Sequence, residues 1–373
     1  MNRDVNWRII SDYIGAGSFV LGTKTVTVGT DHGVQCVDRN QHGRSVWDAD
    51  LGSRCIGVRE VKKGTLLATC RDGMFHVTTK GRVEREKLFA ESLVQEALPF
   101  GEGTLVIVGT ALQHYEHWVG SPAWTYDFRE ALGSSIESIR PIHLFESGGK
   151  IVAGVVDYDS GVGRVVVLDV DGRPVWLSDP GPLSEVFPAG EDLFVWCLTG
   201  YGKFESQLSR LDGTKAWNTK FAGVGSHRSD GSIAMVIGSN ESPEWDHWHY
   251  RQITASGKIE LEIEGKGRAP VRPCCHDDGS VYFIGYVLYL DPNSSRVDYT
   301  NFFAMPQEIL FQHLVGIRIQ IPEYDIYLQR VDGKTGDLEI IHEISGSYSL
   351  AHPQVFGDEV VFCDGTDIVA VTM

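Results

Sequence analysis

The chain has 373 residues, 42% of them hydrophobic and 22% charged, with a net charge of -17 and a pI near 5.2. That composition belongs to an ordinary globular protein, and a balance this acidic excludes a binder of phosphate backbones, which needs a basic footprint, so no nucleic-acid partner is expected. No stretch approaches the ~18 apolar residues of a membrane helix, and the opening MNRDVNWRIISDY lacks the apolar core of a signal peptide. The seven cysteines are odd in number and form no C-x-x-C pair, which fits buried free thiols in a reducing compartment. A cytoplasmic protein without membrane association is the expectation.

Along the chain a strand-turn-strand unit recurs. Gly33 to Gly52 reads GVQCVDRNQHGRSVWDADLG, Arg164 to Pro180 reads RVVVLDVDGRPVWLSDP, and Glu205 to Phe221 reads ESQLSRLDGTKAWNTKF. Each has an apolar strand, a Gly-bearing turn and a Trp-containing exit. Val83 to Leu98 mixes strand and helix signals and is assigned as one outer strand followed by one inner strand. Elsewhere apolar and polar residues alternate over short runs bounded by Gly, Asp, Asn or Ser, the signature of half-buried strands.

Aligned on the second strand of each unit, the cores are Thr25 to Gly29, Thr65 to Cys70, Thr104 to Gly109, Ile151 to Val156, Leu193 to Leu198, Ile233 to Gly238, Val281 to Gly285, Ile317 to Ile321 and Val360 to Cys363. Third strands end near Val37-Asp38, Thr78-Thr79, Leu168-Asp169, Leu211-Asp212, Thr254-Ala255, Leu290-Asp291 and Val331-Asp332. Strand-only self-similarity at a period of ~40 residues specifies an all-β fold, a β-propeller of four-stranded blades. Nine units are counted. Val281 to Phe303 leaves almost no turn between its second and third strands, and eight is the count if one unit is misassigned. The last unit, Ser347 to Met373, has three strands, and Asn6 to Ile10 supplies a fourth, with Trp7 in the place of Trp47, Trp176 and Trp217. Pairing those two segments would close the ring and remove exposed sheet edges. The whole of residues 1–373 is then one propeller domain.

The Leu-Asp strand end, Gly turn and Val-Trp pattern resembles the repeat of quinoprotein-type (pyrroloquinoline quinone-like) propellers. The resemblance lies at the level of the repeat and runs the length of the chain; the Gly-His and Trp-Asp signature of WD40 repeats is absent. It implies that Trp47, Trp124, Trp176 and Trp217 pack between neighbouring blades, where a large ring buries much area and its indole N–H finds a backbone acceptor. It also raises pyrroloquinoline quinone with calcium as a cofactor, because in quinoprotein alcohol dehydrogenases a vicinal disulfide stacks on the quinone and Cys274-Cys275 are adjacent here. Those enzymes are longer and exported, and strand alternation alone would send the two thiols to opposite sides of a sheet. No cofactor is the expectation, and whether the two cysteines are linked stays open.

Three further sets could carry function. Glu244 to Tyr250 (EWDHWHY) and His114 to Trp118 (HYEHW) are aromatic-rich departures from the repeat. They make Trp118, Trp245, Trp248 and Tyr250 candidate protein-binding anchors, and His247 and His249, at i and i+2 of a strand, a candidate metal half-site that lacks a third ligand. The innermost strands carry Arg140, His143, His227, Arg228, Arg272, His276, His313 and His352, which would line a central channel and attract an anion, or else pair locally with acidic groups. Nothing resembles an esterase elbow, a P-loop or a calcium loop with its bidentate Glu. The sequence therefore favours a non-catalytic scaffold for protein–protein interaction, monomeric on its own. An enzyme or sensor holding a small anion or quinone in the channel is the alternative.

Overall fold

The computed structural model describes residues 5–9, 19–41, 44–62, 64–89, 93–118, 120–133, 139–157, 159–181, 183–200, 203–219, 224–238, 247–266, 273–288, 324–344, 353–364 and 367–373. They form eight four-stranded antiparallel sheets. Sheet I holds Phe19–Leu21, Thr25–Gly29, Gly33–Asp38 and Ser45–Asp50. Sheet II holds Cys55–Lys62, Thr65–Cys70, Gly73–Thr78 and Val83–Leu88. Sheet III holds Val94–Phe100, Gly103–Val108, Ala111–Tyr115 and Trp124–Asp127. Sheet IV holds Ile139–Ser147, Lys150–Asp157, Val162–Leu168 and Pro174–Leu177. Sheet V holds Leu183–Ala189, Asp192–Gly200, Lys203–Ser209 and Lys215–Thr219. Sheet VI holds Val224–His227, Ile233–Gly238, His247–Ile253 and Ile259–Lys266. Sheet VII holds Cys274–Cys275, Val281–Leu288, Tyr324–Val331 and Leu338–Ile344. Sheet VIII holds Gln354–Phe356, Glu359–Asp364, Asp367–Thr372 and, as its fourth strand, Val5–Ile9.

The count of nine units is corrected at sheet VII. Val281–Leu288 pairs directly with Tyr324–Val331, from Val281 opposite Val331 to Leu288 opposite Tyr324. These are the second and third strands of one sheet, so the strand end at Val331-Asp332 does not belong to a further unit. Ile317 to Ile321 and Leu290-Asp291 lie outside the described residues. A connection of more than 30 residues between two paired strands is invisible to a scheme that assumes a constant period. The other eight second strands fall where the alignment places them, and Val83 to Leu98 divides into an outer strand of sheet II and an inner strand of sheet III. A five-residue helix, Phe128–Leu132, follows sheet III; the Asp127 side chain accepts a hydrogen bond from Arg129 N at its start, and Gly133 ends it at φ 65°.

Eight hydrophobic clusters fill the eight junctions of the ring, one between each pair of neighbouring sheets. Alternation explains why the second strands are apolar throughout. In Lys150–Asp157, Ile151, Ala153 and Val155 face sheet III, while Val152 and Val156 face sheet V. Strands covered on both sides lose their polar face. The ring closes between sheets VIII and I, where Trp7, Val361, Ile368 and Ala370 pack on Phe19, Val26, Val28 and Val37. No helix among the described residues is long and apolar enough to cross a membrane.

The tryptophans dock from one sheet onto the next. A bulge in the fourth strand sets the docking residue opposite a fixed third-strand position: Trp47 opposite Cys36, Trp176 opposite Val167, Trp217 opposite Leu208. Each ring then covers a glycine in the 3–4 turn of the following sheet. A Cβ added to Gly81, Gly172, Gly213 or Gly257 would lie 2.8, 2.5, 2.1 or 2.8 Å from Trp47, Trp124, Trp176 or Trp217, respectively. The expected backbone acceptor exists for Trp124, whose Nε1–H donates to the Val170 carbonyl at 3.0 Å. Trp7 donates instead to the Glu359 carboxylate, and Trp47 Nε1 has no partner among the described residues.

At three junctions the docking position has changed. Leu261 fills it in sheet VI, approaching Gly336 of sheet VII, and His342 fills it in sheet VII, where its ring lies 5.4 Å from that of Phe362. In sheet II the position holds the exposed Arg85, opposite His76. There Trp118, from the loop after Ala111–Tyr115 of sheet III, reaches back and packs on His76 at 4.1 Å between ring centroids.

Candidate functional site

Two of the four protein-binding anchors belong to this packing. Trp118 is buried among Leu67, Met74, Val94 and Val106 at the junction of sheets II and III, and Lys87 Nζ donates to the carbonyl of Gly120 beside it at 3.0 Å. Sequence reasoning placed Trp118 on the surface because it sits in a loop, but the junction lacks its own docking tryptophan and takes this one. Tyr250 is fully buried between sheets VI and VII, and desolvation pushes its phenol up to about 12. Trp245 lies outside the described residues. Trp248 is placed only as a strand position, opposite Gly238 and Gly265.

The candidate metal half-site is an alternate pair on the strand His247–Ile253. His249 Nδ1 lies 3.8 Å from Glu262 Oε1. The described residues contain no group of three or more His, Cys, Asp or Glu able to hold a metal.

The described channel cations sit at different levels along their inner strands. Arg140 lies at the start of the inner strand Ile139–Ser147, opposite Val156, and donates to the Ile139 carbonyl. His143 sits further along that strand, opposite Gly154. His227 and Arg228 lie at the opposite end of the ring, beside the first hairpin turn of sheet VI. Arg228 is buried and engaged: its guanidinium donates to Gln252 Oε1 and to the Tyr250 hydroxyl and pairs with Asp230 at 3.4 Å. His276 Nδ1 is 2.9 Å from Asp278. Although burial opposes it, the Ser280 N–H and His276 hold the Asp278 carboxyl down to about 2. Local pairing thus accounts for Arg228 and His276. Arg272, His313 and His352 lie outside the described residues.

Cys274 and Cys275 are free thiols. Cys274 packs into the cluster between sheets VII and VIII and Cys275 into the one between VI and VII. Side chains directed to opposite faces of one sheet offer no platform for a flat quinone, and these residues do not fit that cofactor.

Sequence reasoning missed two arrangements. The first is Arg59–Glu96, an ion pair of 2.5 Å between the inner strands of sheets II and III. Desolvation raises the Glu96 carboxyl from 4.5 to about 7, with Arg59 only partly offsetting it. The folded chain therefore binds this proton more tightly than the unfolded chain. The group favours folding most below pH 4.5, and that contribution is lost as the pH climbs towards 7. Glu96→Gln is expected to flatten the pH dependence of the urea midpoint across this window; a variant with the parental slope would refute the assignment.

The second arrangement is a pair of clefts on the face that carries the 1–2 and 3–4 hairpin turns. One, of about 500 Å³, is bordered by Glu191, Asp192, Arg210, Leu211 and Asp212 of sheet V. The other, of about 440 Å³, lies between sheets III and IV and is lined by Phe100 to Gly103, His114, Glu116, His117, Trp124, Val170 and Asp171. His114 stands between Phe100 and Trp124, 5.5 Å from each ring. Desolvation lowers its pKa against the pull of Glu116, which keeps the imidazole uncharged at neutral pH. The string His114 to Trp118 signalled half of this cleft, but nothing in the sequence places Val170 and Asp171 beside it.

A ring of four-stranded antiparallel sheets is a β-propeller. The computationally designed protein Ika8 is similar in structure over 98% of this chain and 99% of its own, at 9% identity and a TM-score of 0.61. Virginiamycin B lyase from Staphylococcus aureus with quinupristin aligns over 98% of both chains at 13% identity and a TM-score of 0.48. The WD40 β-propeller domain of Doa1 aligns over 76% of this chain and 93% of its own, at 9% identity and 0.48. The likeness to Ika8 concerns the fold alone. No family model and no curated protein sequence matches the chain.

Proposed function

We propose that the protein is a non-catalytic scaffold that recognises a protein partner through its hairpin-turn face. The observation that carries this reading is that two clefts, of about 440 and 500 Å³, open on that one face and are bordered by carboxylates of the hairpin turns and of the loop after the third strand of sheet III. The repeat residues beneath are consumed in junction packing, so the variable turns are what such a scaffold has left to present. Kinship with quinoprotein-type repeats draws support from the Trp-on-Gly docking, which concerns architecture and brings no cofactor with it.

A photo-reactive cross-linker placed in turn at Glu102 and Asp192, and at Val46 and Val83 on outer strands, tests the reading in extract of the native host. The expected result is one stoichiometric adduct from the first two positions and none from the others. Adducts from all four alike, or from none, would sink it. The second reading, a small ligand in the channel, draws on Arg59–Glu96; saturable binding of a small anion abolished by Arg59→Ala would favour it.

A further inference from the structure

The cleft between sheets III and IV has a defined chemistry. Its rim carries three carboxylates, Glu102 from the first hairpin turn of sheet III, Glu116 from the loop after its third strand, and Asp171 from the 3–4 turn of sheet IV, all exposed. Neither lysine nor arginine lines it. Glu102 and Glu116 form no ion pair with a basic residue among the described residues, and Asp171 makes only a loose, exposed one with Arg173 at 3.9 Å.

The wall behind this rim is aromatic. Phe100 is buried, and Trp124 is fixed by its bond to Val170 and by Gly172 beneath it. His114 is wedged between them, and its Nε2 is shielded from solvent without a hydrogen-bond partner. Ring faces attract cations through their quadrupole, and carboxylates at the mouth of an aromatic wall add a directional charge. A carboxylate ligand would meet only repulsion here, and a neutral apolar one would bury the rim charges without compensation.

We propose that this cleft receives a lysine or arginine side chain of a protein partner, held by Glu102, Glu116 and Asp171 against the wall of Phe100, His114 and Trp124. The inference rests on the scaffold reading and names the chemistry of its partner. The net charge of -17 would draw a basic segment towards the face before the cleft selects its side chain.

The test measures anisotropy of fluorescein-labelled peptides, Gly alternating with Arg, Lys or Glu, on the full chain at about 0.15 M salt. The Arg and Lys peptides are expected to bind, and the triple variant Glu102→Gln, Glu116→Gln, Asp171→Asn should weaken them about tenfold. Glu86→Gln, Glu260→Gln, Glu264→Gln removes the same charge from outer strands and should change binding less than about twofold. Equal weakening by both triples would reduce the effect to diffuse attraction and overturn the proposal. So would equal binding of the Glu peptide, no binding of the basic peptides at about 1 mM, or full displacement by equimolar free spermine. A partner cross-linked from position 192 and retained by the cleft triple would leave the scaffold standing while this inference falls; the absence of any cross-linked partner would remove the scaffold itself.

Discussion

Glu359→Ala is expected to lower the stability of the chain by about 3 to 5 kcal/mol, the cost of leaving a buried charge without its counter-ion. Glu359 lies at the start of the second strand of sheet VIII and pairs with Arg39, which comes from the 3–4 turn of sheet I; both are buried. Arg39 also donates to the Gly22 carbonyl at 3.1 Å and lies over the Trp7 ring at 4.8 Å. The same carboxylate accepts from Trp7 Nε1 and from Asn6 Nδ2. One side chain therefore ties the N-terminal strand, the sheet it completes and the following sheet together. Urea denaturation of the single variants, Arg39→Ala and the double variant measures the coupling. The double variant should be less impaired than the two single losses added together, because it removes the stranded charge. Hydrogen exchange should rise first in Val5–Ile9. A loss under about 1 kcal/mol for Glu359→Ala would show that the pair is not the fastening described.

Gly213→Ala is expected to cost roughly 2 to 5 kcal/mol, combining a left-handed residue's penalty with overpacking. Gly213 has φ +87°, and a Cβ there would sit 2.1 Å from Trp176 Nε1. Gly231 provides the control: its φ is +84°, but a Cβ would meet nothing within 4 Å. Gly231→Ala should show only the conformational part, about 1 to 2 kcal/mol. The steric part should vanish when Gly213→Ala is combined with Trp176→Ala, giving a positive interaction in the cycle. If Gly213→Ala and Gly231→Ala cost the same, the docking of Trp176 on that turn is not as close as described.

Much of this architecture was legible because the repeat states its own geometry. The Leu-Asp end, the Gly turn and the Trp two residues into the next strand report a bulge, a left-handed position and a docking ring. Trp7 beside the three strands after Ser347 announced how sheet VIII is completed. The error at sheet VII arose where the period was interrupted between two strands that pair, since only long-range pairing shows that Leu288 and Tyr324 are neighbours. The site was less legible for a similar reason. Trp118 and Tyr250 have the composition of interface residues, yet Trp118 is buried because Arg85 stands where a tryptophan would have covered the junction, and Tyr250 because its strand packs against sheet VII. Glu102 and Asp171 carry no motif at all; they meet only because sheets III and IV are neighbours.

The completion of sheet VIII has a consequence for synthesis. The hydrogen bond from Thr372 to Asn6 joins residues 366 apart, so Val5–Ile9 must wait until Asp367–Thr372 is made. At ribosomal rates of about 5 to 20 residues per second that interval is roughly 20 to 70 seconds. Throughout it, Val5–Ile9 is a strand without a mate and the nascent sheet I lacks its neighbour. Two chains on one message could exchange these strands, each completing the other's ring. High expression should therefore yield a fraction of interlocked dimers that slow translation or dilution reduces.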